Sequence, residues 1–473
     1  MSEKNTRYQE LAAHTEQLIR TGVLRVGDKL PSIRQACKAH AISPITVTSA
    51  YYQLESKGLI EAREKSGYFV RARLGASFSE PEMTHPAAAL TELQVSDFIF
   101  QILDSVRDPL IIPLGSSFPS PYLFPLARLG KFLAQAARKF DPLSTVTDLP
   151  PGNEDLRRQL ALRYLAHGAQ VPPQEIVITS GAMEGLNLCL QAVTRPGDLI
   201  AIESPTFYAG LQASERLGLK VIEIPSHPRH GVDLNALEDA LRHHPIKACL
   251  LMLNFANPTG SLLPVGARQD LVDLVCRYDV PLIEDDVYAE LYFGPQAPPC
   301  SKAFDRGGQV MHVSSFSKCL APGYRLGWVA AGRYAERLRR QKLSSSLATT
   351  VPVQQAVAEF LKHGAYENHL RSLRRKLASQ EAELADVVER FFPSETRMVR
   401  PLGGYFQWLE LPERVDSLRL HQAALAHGIS IAPGPIFSAQ REFGNYLRLN
   451  FGHPDAGRRQ EAVETLGRLI ARS

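Results

Sequence analysis

Apolar residues recur at two different spacings along the chain. Near the N-terminus the spacing is helical, and Leu11, Thr15 and Leu18 share one face of a helix predicted over residues 6–21. From residue 176 onward, short apolar runs of strand length alternate with helical patterns, which predicts a mostly parallel sheet covered by helices. The apolar runs lie at residues 176–178, 199–202, 221–224, 249–253, 282–283, 310–313 and 329–330.

The first 73 residues predict a small DNA-binding architecture. Ser32 can cap a second helix that runs to about His40, and Ser43 with Pro44 can begin a third that ends near residue 57. Two short strands follow, joined by a basic tip with Lys65 and Ser66. Helix, tight turn and helix, followed by a hairpin, is typical of a winged helix-turn-helix whose last helix enters the major groove.

Charge supports a nucleic-acid partner for this segment. Residues 1–73 contain twelve lysines and arginines and seven acidic residues, a net charge of +5, whereas the whole chain carries +4. The six cysteines show no C-x-x-C spacing, so they predict neither a disulfide framework nor a metal site. With a polar N-terminus and no apolar run long enough for a bilayer, we expect a cytoplasmic protein without a membrane segment.

At 473 residues the chain is too long for one hydrophobic core, and two to four domains are expected. Residues 74–108 begin with glycine, serine and proline, a composition typical of a flexible linker, and an apolar stretch near residues 98–103 predicts a short helix. The expected division is a winged helix-turn-helix at 1–73, a linker at 74–108 and a body at 109–473.

One lysine in the body has chemically unusual company. Lys318 follows Ser315 and Ser317 at the end of an apolar run, and Arg325 lies seven residues further on. A desolvated lysine has a lowered pKa and can form a Schiff base with an aldehyde. Hydroxyl groups and an arginine suit a phosphate dianion. An aldehyde and a phosphate together describe pyridoxal 5′-phosphate, although this string alone is more typical of a surface lysine in a serine-rich loop.

Other polar motifs also follow predicted strands. Gly181 begins a helix, whose free N–H groups suit a phosphate, and the Asn257 amide could contact the phenolic oxygen of the cofactor. Asp285 could pair with the pyridine nitrogen and keep the ring protonated, and Tyr288 could share the phenolic oxygen. Each motif alone is also ordinary turn chemistry. Because ligands bind at the carboxyl ends of parallel strands, we expect these residues to converge.

The N-terminal motifs resemble the DNA-binding domain of GntR-type bacterial repressors over residues 5–71. The motifs are Gly-Asp-x-Leu-Pro-Ser-x-Arg, Ser-Pro-x-Thr-Val, Leu-Glu-x-x-Gly-Leu-Ile-Glu and Ser-Gly-x-Phe-Val. The resemblance implies a DNA contact surface that comprises Ser32, Arg34, Ser43, Thr46, Thr48, Tyr51 and Gly67. Many members of that family carry an arginine where Pro44 stands, so the operator sequence of a relative cannot be transferred.

The body resembles the fold-type I aminotransferases from about Leu110 onward, with a large subdomain at about 109–360 and a smaller α+β subdomain at about 361–473. By this resemblance Lys318 is the Schiff-base lysine, Asp285 pairs with the pyridinium, and Arg448 binds an amino-acid carboxylate, unless it forms a buried structural ion pair. The other implied cofactor-binding residues are Gly181, Ala182, Met183, Phe207 (with Tyr208 as an alternative for ring stacking), Asn257, Tyr288, Ser315, Ser317 and Arg325.

Two departures from the aminotransferase pattern bear on activity. Ala182 and Met183 stand where a hydroxyl or amide side chain is usual, and Thr147 stands where these enzymes tend to carry a tyrosine donated across a dimer interface. The resemblance therefore implies phosphate binding through main-chain groups at that point, and a cofactor that is held less firmly.

A GntR-like head joined to an aminotransferase-like body resembles the MocR subgroup of bacterial regulators. This resemblance implies a homodimeric transcriptional regulator that binds double-stranded promoter DNA and carries pyridoxal 5′-phosphate on Lys318, with an amino acid or amine as a further effector. Two alternatives stay open at this point. One is an active aminotransferase with a DNA-binding head, and the other is a DNA-binding protein whose body is an empty dimerisation scaffold.

Overall fold

The computed structural model describes residues 7–20, 23–24, 27–56, 59–63, 67–70, 78–86, 91–93, 95–104, 110–453 and 455–473. Within these residues a small N-terminal head and a large body each bury an apolar core of their own. None of the helices in this part of the chain is long and apolar enough to cross a lipid bilayer.

The head is a winged helix-turn-helix, as the sequence predicts. It comprises α1 (Arg7–Arg20), α2 (Ile33–His40), α3 (Pro44–Ser56), β1 (Ile60–Arg63) and β2 (Gly67–Val70), and the two strands pair antiparallel. Ser32 caps α2 through a reciprocal capping box with Gln35. Lys65 and Ser66, which were expected at the wing tip, lie outside the described residues.

The buried face of α3 differs from the expectation at one position. Val47, Ala50 and Leu54 are buried in the head core, as helical spacing requires. Tyr51 is buried too, and its hydroxyl donates a hydrogen bond to the Pro31 carbonyl oxygen at 2.8 Å. The expectation that Tyr51 faces the DNA groove is therefore wrong, because residues 47 and 51 are four apart and lie on the same face of a helix.

The body is built on a nine-stranded sheet in which five neighbouring strands run parallel. Strand order is β3-β7-β6-β9-β10-β11-β12-β5, with β8 beside β7. The pairs from β7 to β11 are parallel, whereas β3, β12 and β8 pair antiparallel with their neighbours. In chain order, the strands from β3 to β12 are β3 (Thr91–Glu92), β4 (Ile112–Pro113), β5 (Ile176–Thr179), β6 (Leu199–Ser204), β7 (Lys220–His227), β8 (Gly231–Val232), β9 (Ile246–Leu251), β10 (Leu282–Asp285), β11 (Val310–Ser315) and β12 (Gly327–Ala330). All of them except β4 belong to this sheet.

A second sheet of four strands, in the order β13-β14-β17-β16, lies in the C-terminal part, where β15 pairs with β4. Its strands are β13 (Arg397–Met398), β14 (Phe406–Glu410), β15 (Ile429–Ser430), β16 (Ala432–Pro433) and β17 (Tyr446–Asn450). The helices of the body are α4 (Ser96–Asp104), α5 (Leu126–Arg138), α6 (Ser144–Thr147), α7 (Glu154–Ala166), α8 (Ala182–Val193), α9 (Tyr208–Arg216), α10 (Leu234–His243), α11 (Val265–Arg277), α12 (Ala335–Ser345), α13 (Val351–Lys362), α14 (Ala365–Phe391), α15 (Ser417–Leu425) and α16 (Ala456–Ala471).

The segment expected to be a flexible linker is packed on the body wherever the structure describes it. Thr84 donates through its hydroxyl to the Ser204 carbonyl at 2.7 Å, and Ser79 accepts a hydrogen bond from the Met398 amide at 3.0 Å. Strand β3 extends the main sheet, and α4 is the predicted short helix. The composition of this segment shows that its first part lacks a local helix or strand pattern. It carries no information about tertiary hydrogen bonds such as these. Residues 74–77, 87–90, 94 and 105–108 lie outside the described part.

A buried polar network fixes the turn that follows β10. The Arg268 guanidinium donates to the Glu284 carboxylate at 2.6 Å, and both side chains are fully buried. Arg268 also donates to the Asn254 amide oxygen at 2.7 Å, and Asn254 in turn donates to Asp286 at 3.0 Å. The network thus joins α11 to the ends of β9 and β10, beside Asp285.

We expect Arg268→Ala to lower the free energy of unfolding by about 3–5 kcal/mol, because it leaves the Glu284 carboxylate buried without a countercharge. Urea denaturation monitored by tryptophan fluorescence measures this loss. The matched control is Arg340→Ala, which breaks an exposed ion pair with Glu336 and should cost no more than about 1 kcal/mol. Equal losses in the two variants would contradict a structural role for the buried network.

Candidate cofactor site

Four of the polar motifs meet at one edge of the main sheet. Asp285 ends β10, Lys318 lies three residues beyond β11, and Asn257 follows β9 after a short turn. Because these three strands run parallel, their carboxyl ends open on the same side. Gly181 lies just beyond β5 and packs against the Arg325 side chain, which connects it to this group. The crossover topology therefore brings together residues that are up to 144 positions apart in the sequence.

Lys318 is buried among aromatic and carbonyl groups. Its amine donates to the Ser117 carbonyl oxygen at 2.8 Å and lies 3.8 Å from the centre of the Phe118 ring. Burial and the positive charge of Arg448 lower the pKa of Lys318 to about 7, although the Asp285 carboxylate acts in the opposite direction. A large fraction of the amine is therefore neutral near physiological pH, which makes it a competent nucleophile toward an aldehyde.

Several buried polar atoms in the site lack a hydrogen-bond partner among the described residues, and they include one carboxylate oxygen of Asp285 and the amide nitrogen of Asn257. Burial and the neighbouring Asp286 raise the pKa of Asp285 to about 7. Buried groups left without partners cost free energy, so a ligand that satisfies both is favoured. A pyridoxal ring offers a ring N–H to the carboxylate and a phenolic oxygen to the amide, and it fits this donor set.

A cradle for an anion lies beside these groups. Arg325 donates to the Ser317 hydroxyl at 3.2 Å and to the Ser180 carbonyl at 3.3 Å. The N-terminus of α8 opens onto the same place, so the first amides of the helix and its dipole also favour negative charge. Gly181 has φ +91°, and a Cβ there would lie 2.5 Å from the Arg325 guanidinium. Only glycine permits this close approach.

The rest of the cradle consists of residues that were expected from sequence. Ser315 and Ser317 are buried and joined by a hydrogen bond of 3.1 Å from the Ser317 amide to the Ser315 hydroxyl. Ala182 and Met183 form the first turn of α8, where their main-chain N–H groups face outward from the helix end. The arrangement suits a phosphate dianion without any further hydroxyl side chain.

Arg448 is a fully buried cation with no carboxylate partner within the described residues. It donates to the Asn257 amide oxygen at 2.7 Å and to the Gly115 carbonyl at 2.6 Å, and it lies 4.2 Å from the centre of the Phe406 ring. The alternative of a buried structural ion pair is therefore not what the structure shows. A buried cation held only by neutral acceptors favours an incoming anion.

The aromatic residues of the site occupy different positions. Tyr288 is fully buried against Tyr405, with ring centres 5.4 Å apart, and burial raises its pKa. Phe207 caps α9 and is half-buried, whereas the adjacent Tyr208 directs its hydroxyl to Ser117 at 2.5 Å. Both rings border the site, and stacking of Phe207 on the cofactor stays a prediction.

Ser117 is a site residue that sequence reasoning missed. Its carbonyl oxygen accepts hydrogen bonds from Lys318 at 2.8 Å and from the Tyr405 hydroxyl at 3.0 Å. Its hydroxyl contacts Tyr208 and lies 3.4 Å from Arg448. Local pattern carries no signal for this residue, because its partners lie from 91 to 331 positions away.

The head presents a second candidate surface. Ser32, Arg34, Ser43 and Thr48 are exposed together with Gly67, while Thr46 is half-buried and donates its amide to the Ser43 hydroxyl at 3.2 Å. Ile45, which sequence reasoning passed over, is 79% exposed at the start of α3. An exposed apolar side chain at that end of a recognition helix suits a thymine methyl group.

We expect the rate at which Lys318 bonds added pyridoxal 5′-phosphate to rise with pH and to reach half its maximum near 7, because the lysine pKa is lowered to about 7. Stopped-flow absorbance of the protein–cofactor bond measures this rate. Arg448→Met removes one of the charges that lower the pKa, so its midpoint should move upward. A wild-type midpoint near the ordinary lysine value of 10.5 would contradict the desolvated site.

Comparison with known proteins places both parts of the chain. Residues 131–466 match the family of class I and II aminotransferases, and residues 7–70 match the gntR family of bacterial regulatory proteins. The chain is 44% identical to the uncharacterized HTH-type transcriptional regulator YdcR of Escherichia coli (strain K12), over 98% of this chain and 99% of that protein. It is 37% identical to the uncharacterized HTH-type transcriptional regulator YjiR of the same organism, over 99% of both.

Among solved structures, the body superposes on LysN, an α-aminoadipate aminotransferase from Thermus thermophilus. The TM-score is 0.73 at 30% identity, over 80% of this chain and 96% of that one. That structure contains N-(5′-phosphopyridoxyl)-L-leucine, so a pyridoxal phosphate derivative occupies the corresponding fold. Fold, donor set and relatives agree that the cofactor is pyridoxal 5′-phosphate. The chain therefore belongs to the class I and II aminotransferase family and joins that body to a gntR-family head, the two-part plan expected of the MocR subgroup.

Proposed function

We propose that the protein is a cytoplasmic transcriptional regulator whose affinity for promoter DNA depends on the occupant of the Lys318 site. The observation that carries the proposal is the full-length similarity to relatives named as transcriptional regulators, together with a poised Lys318 in the body. The head supplies an exposed DNA-binding surface, and the body supplies a site that can sense a small molecule.

Different residues of the site would bind different parts of the cofactor. Lys318 would hold its aldehyde carbon, Asp285 its ring nitrogen, and Asn257 with Tyr288 its phenolic oxygen. The phosphate would be bound by Ser315, Ser317, Arg325 and the amides of Gly181, Ala182 and Met183. When bound, pyridoxal 5′-phosphate supplies an electrophilic carbon to amines and a ring that withdraws electrons.

The site also indicates the class of effector. An amine can replace the lysine at the aldehyde carbon, and a carboxylate would be bound by the buried Arg448. A molecule with both groups, such as an amino acid, therefore fits best, and a simple amine would lack the second contact. The effector can shift DNA binding only by its differential affinity for the two states of the protein.

We favour regulation over an aminotransferase with an accessory head. Relatives that match 98–99% of the chain are named regulators, whereas the 2-aminoadipate transaminase of Thermus thermophilus matches 79% of it. Fast and complete amino transfer to a 2-oxo acid at catalytic rates would overturn this preference.

We also propose a homodimer with two heads on one promoter. Large apolar side chains are exposed on the surface of the body, and burial against a second copy would remove them from water. They include Phe118, Tyr122, Leu143, Val146 and Leu347. Phe118 lies directly over Lys318, so a partner subunit at this surface would close the site. Two heads would then contact two half-sites with a fixed spacing.

For the head, we expect Arg34→Ala to weaken binding to the protein's own upstream region by roughly 5- to 150-fold, corresponding to about 1–3 kcal/mol for a lost base or phosphate contact. Fluorescence anisotropy at fixed moderate salt measures the affinity, and the cofactor absorbance should not change. Arg340→Ala, an exposed arginine on α12 of the body, is the control and should bind as the wild type. If Arg34→Ala binds DNA as tightly as the wild type, this result would contradict the proposal that the head contacts DNA through this surface.

For the body, we expect DNA affinity to differ between the protein with and without pyridoxal 5′-phosphate, and this difference to vanish in Lys318→Ala. Footprinting on the upstream region and anisotropy titrations measure the effect. Wild-type protein that binds DNA identically in both forms would contradict the proposal. Purified protein that never acquires visible absorbance with added cofactor would favour an empty scaffold instead.

A further inference from the structure

Helix α14 contacts the cofactor lysine through the neighbouring peptide. His369 Nε2 lies 2.8 Å from the carbonyl oxygen of Cys319 and donates to it. The Tyr366 hydroxyl lies 3.0 Å from the Cys319 sulfur. Because Cys319 follows Lys318 directly, these two side chains of α14 hold the loop that carries the lysine. Both tyrosine and cysteine are buried, which makes the contact rigid.

The same helix holds the turn that carries Tyr288. Arg374 donates to the Glu290 carbonyl at 2.7 Å and to the Glu290 carboxylate at 3.2 Å. Its guanidinium also lies 3.8 Å from the centre of the Tyr292 ring. Glu290 is only two residues beyond Tyr288. A displacement of the turn at 288–292 therefore acts directly on α14.

The outer surface of α14 faces the head. A cleft of about 380 Å³ separates them, lined by Tyr52, Glu55 and Tyr68 of the head and by Ser372 and Arg375 of α14, among others. A second cleft of about 600 Å³ is lined by Tyr52 together with Arg371, Arg374 and Arg375. Tyr52 therefore lies between the two clefts, one helical turn beyond the exposed Thr48 on the same side of α3.

Charge complements this contact, and its packing is incomplete. Burial raises the pKa of Glu55, whereas the Ala62 amide, which donates to the carboxylate at 3.0 Å, and the Arg375 charge both lower it. Glu55 and Arg375 line the same cleft and carry opposite charges. Two open clefts on either side of Tyr52 mean that the head and α14 do not form a close-packed interface. A polar, loosely packed contact costs little free energy to break, as a reversible switch requires.

We propose that α14 couples the cofactor site to the head by fixing the orientation of the head through Tyr52, Glu55 and Arg375. This inference rests on the proposed function and deepens it. Occupation of the Lys318 site moves the loop at 317–320 or the turn at 288–292, α14 follows through His369 and Arg374, and the docked head is retained or released. The exposed DNA-binding surface is not covered in the docked state, so the device sets the direction and spacing of the heads.

The coupling must be reciprocal. If cofactor occupancy changes DNA affinity by some factor, DNA must change cofactor affinity by the same factor. Contacts on the outer surface of α14 belong to neither binding site. Their loss should therefore remove the coupling. The protein should still bind both DNA and the cofactor, with the affinities of one of its two states.

The test uses the full-length protein and the ratio of DNA dissociation constants measured without and with pyridoxal 5′-phosphate. We expect a wild-type ratio that differs from one by about 5- to 150-fold, as is usual for allosteric coupling, and ratios within about twofold of one for Arg375→Glu and Tyr52→Ala. Cofactor absorbance should be the same in all three proteins. These variants break the contact from its two sides, so a folding defect in one does not decide the result.

The matched control is Arg390→Glu, which makes the same change on the exposed C-terminal turn of α14 and should keep the wild-type ratio. Reciprocity supplies a second readout: promoter DNA should alter the cofactor dissociation constant in the wild type and in Arg390→Glu, but not in Arg375→Glu.

The outcomes separate the two proposals. A wild-type ratio of one would overturn the proposed function and this inference with it. A wild-type ratio well away from one that persists in both Arg375→Glu and Tyr52→Ala would overturn the inference alone and leave the proposed function standing.

Discussion

The site depends on burial of opposite charges that are not satisfied by each other. Lys318 and Asp285 both lie away from water, and burial shifts the pKa of each to about 7 from opposite directions. Each is therefore close to losing its charge, and Lys318 donates to a neutral carbonyl oxygen of Ser117 instead of pairing with the carboxylate. A ligand with an aldehyde and a ring nitrogen can interact with both groups at once, because the aldehyde can react with Lys318 and the ring nitrogen can pair with Asp285. The low dielectric that makes the buried groups without partners costly is also what makes the lysine reactive.

The surrounding structure provides the rigidity that such a site needs. Arg325 adopts a left-handed backbone conformation, with φ 48°, which costs free energy for a non-glycine residue. That conformation places its guanidinium against Gly181 and Ser317, where the anion cradle lies. Behind the sheet, the Arg268–Glu284 pair holds the end of β10 in place. Strain and buried charge are thus located beside the functional groups that they position.

The contrast between the two interfaces of α14 gives the protein its regulatory plan. Toward the cofactor site, His369 and Arg374 of α14 form short, directional hydrogen bonds to the loop and turn. On its outer surface the contact with the head is open and polar. A rigid connection on one side and a weak one on the other is what allows a small local change to alter a whole domain. Tight packing on both sides would instead lock the head in one position.

Much of this protein is determined by local sequence. The head helices are specified by their apolar spacing and by the caps at Ser32 and Ser43, and their ends agree with the prediction within one residue. The strands β5 to β7 and β9 to β12 also lie at the apolar runs that predicted them, since strands buried on both faces of a sheet require continuous apolar sequence. The short strand β8 was not predicted. For the site, Gly181, Asn257, Asp285 and Lys318 carry a signal because each belongs to a polar or glycine-containing motif at or just beyond a strand end.

Tertiary structure alone decided the remainder. Ser117 contacts Lys318 from a position 201 residues away, and no periodicity encodes such a contact. Tyr51 lies in the head core, although a tyrosine side chain would also suit a contact in the DNA groove. The packing of the head determines which face of α3 is buried. The described part of the supposed linker packs on the body through hydrogen bonds to distant strands, such as that from Thr84 to Ser204. Local patterns fix which segments form helices and strands, whereas long-range packing fixes which side chains meet, and the chemistry of the site depends on the second.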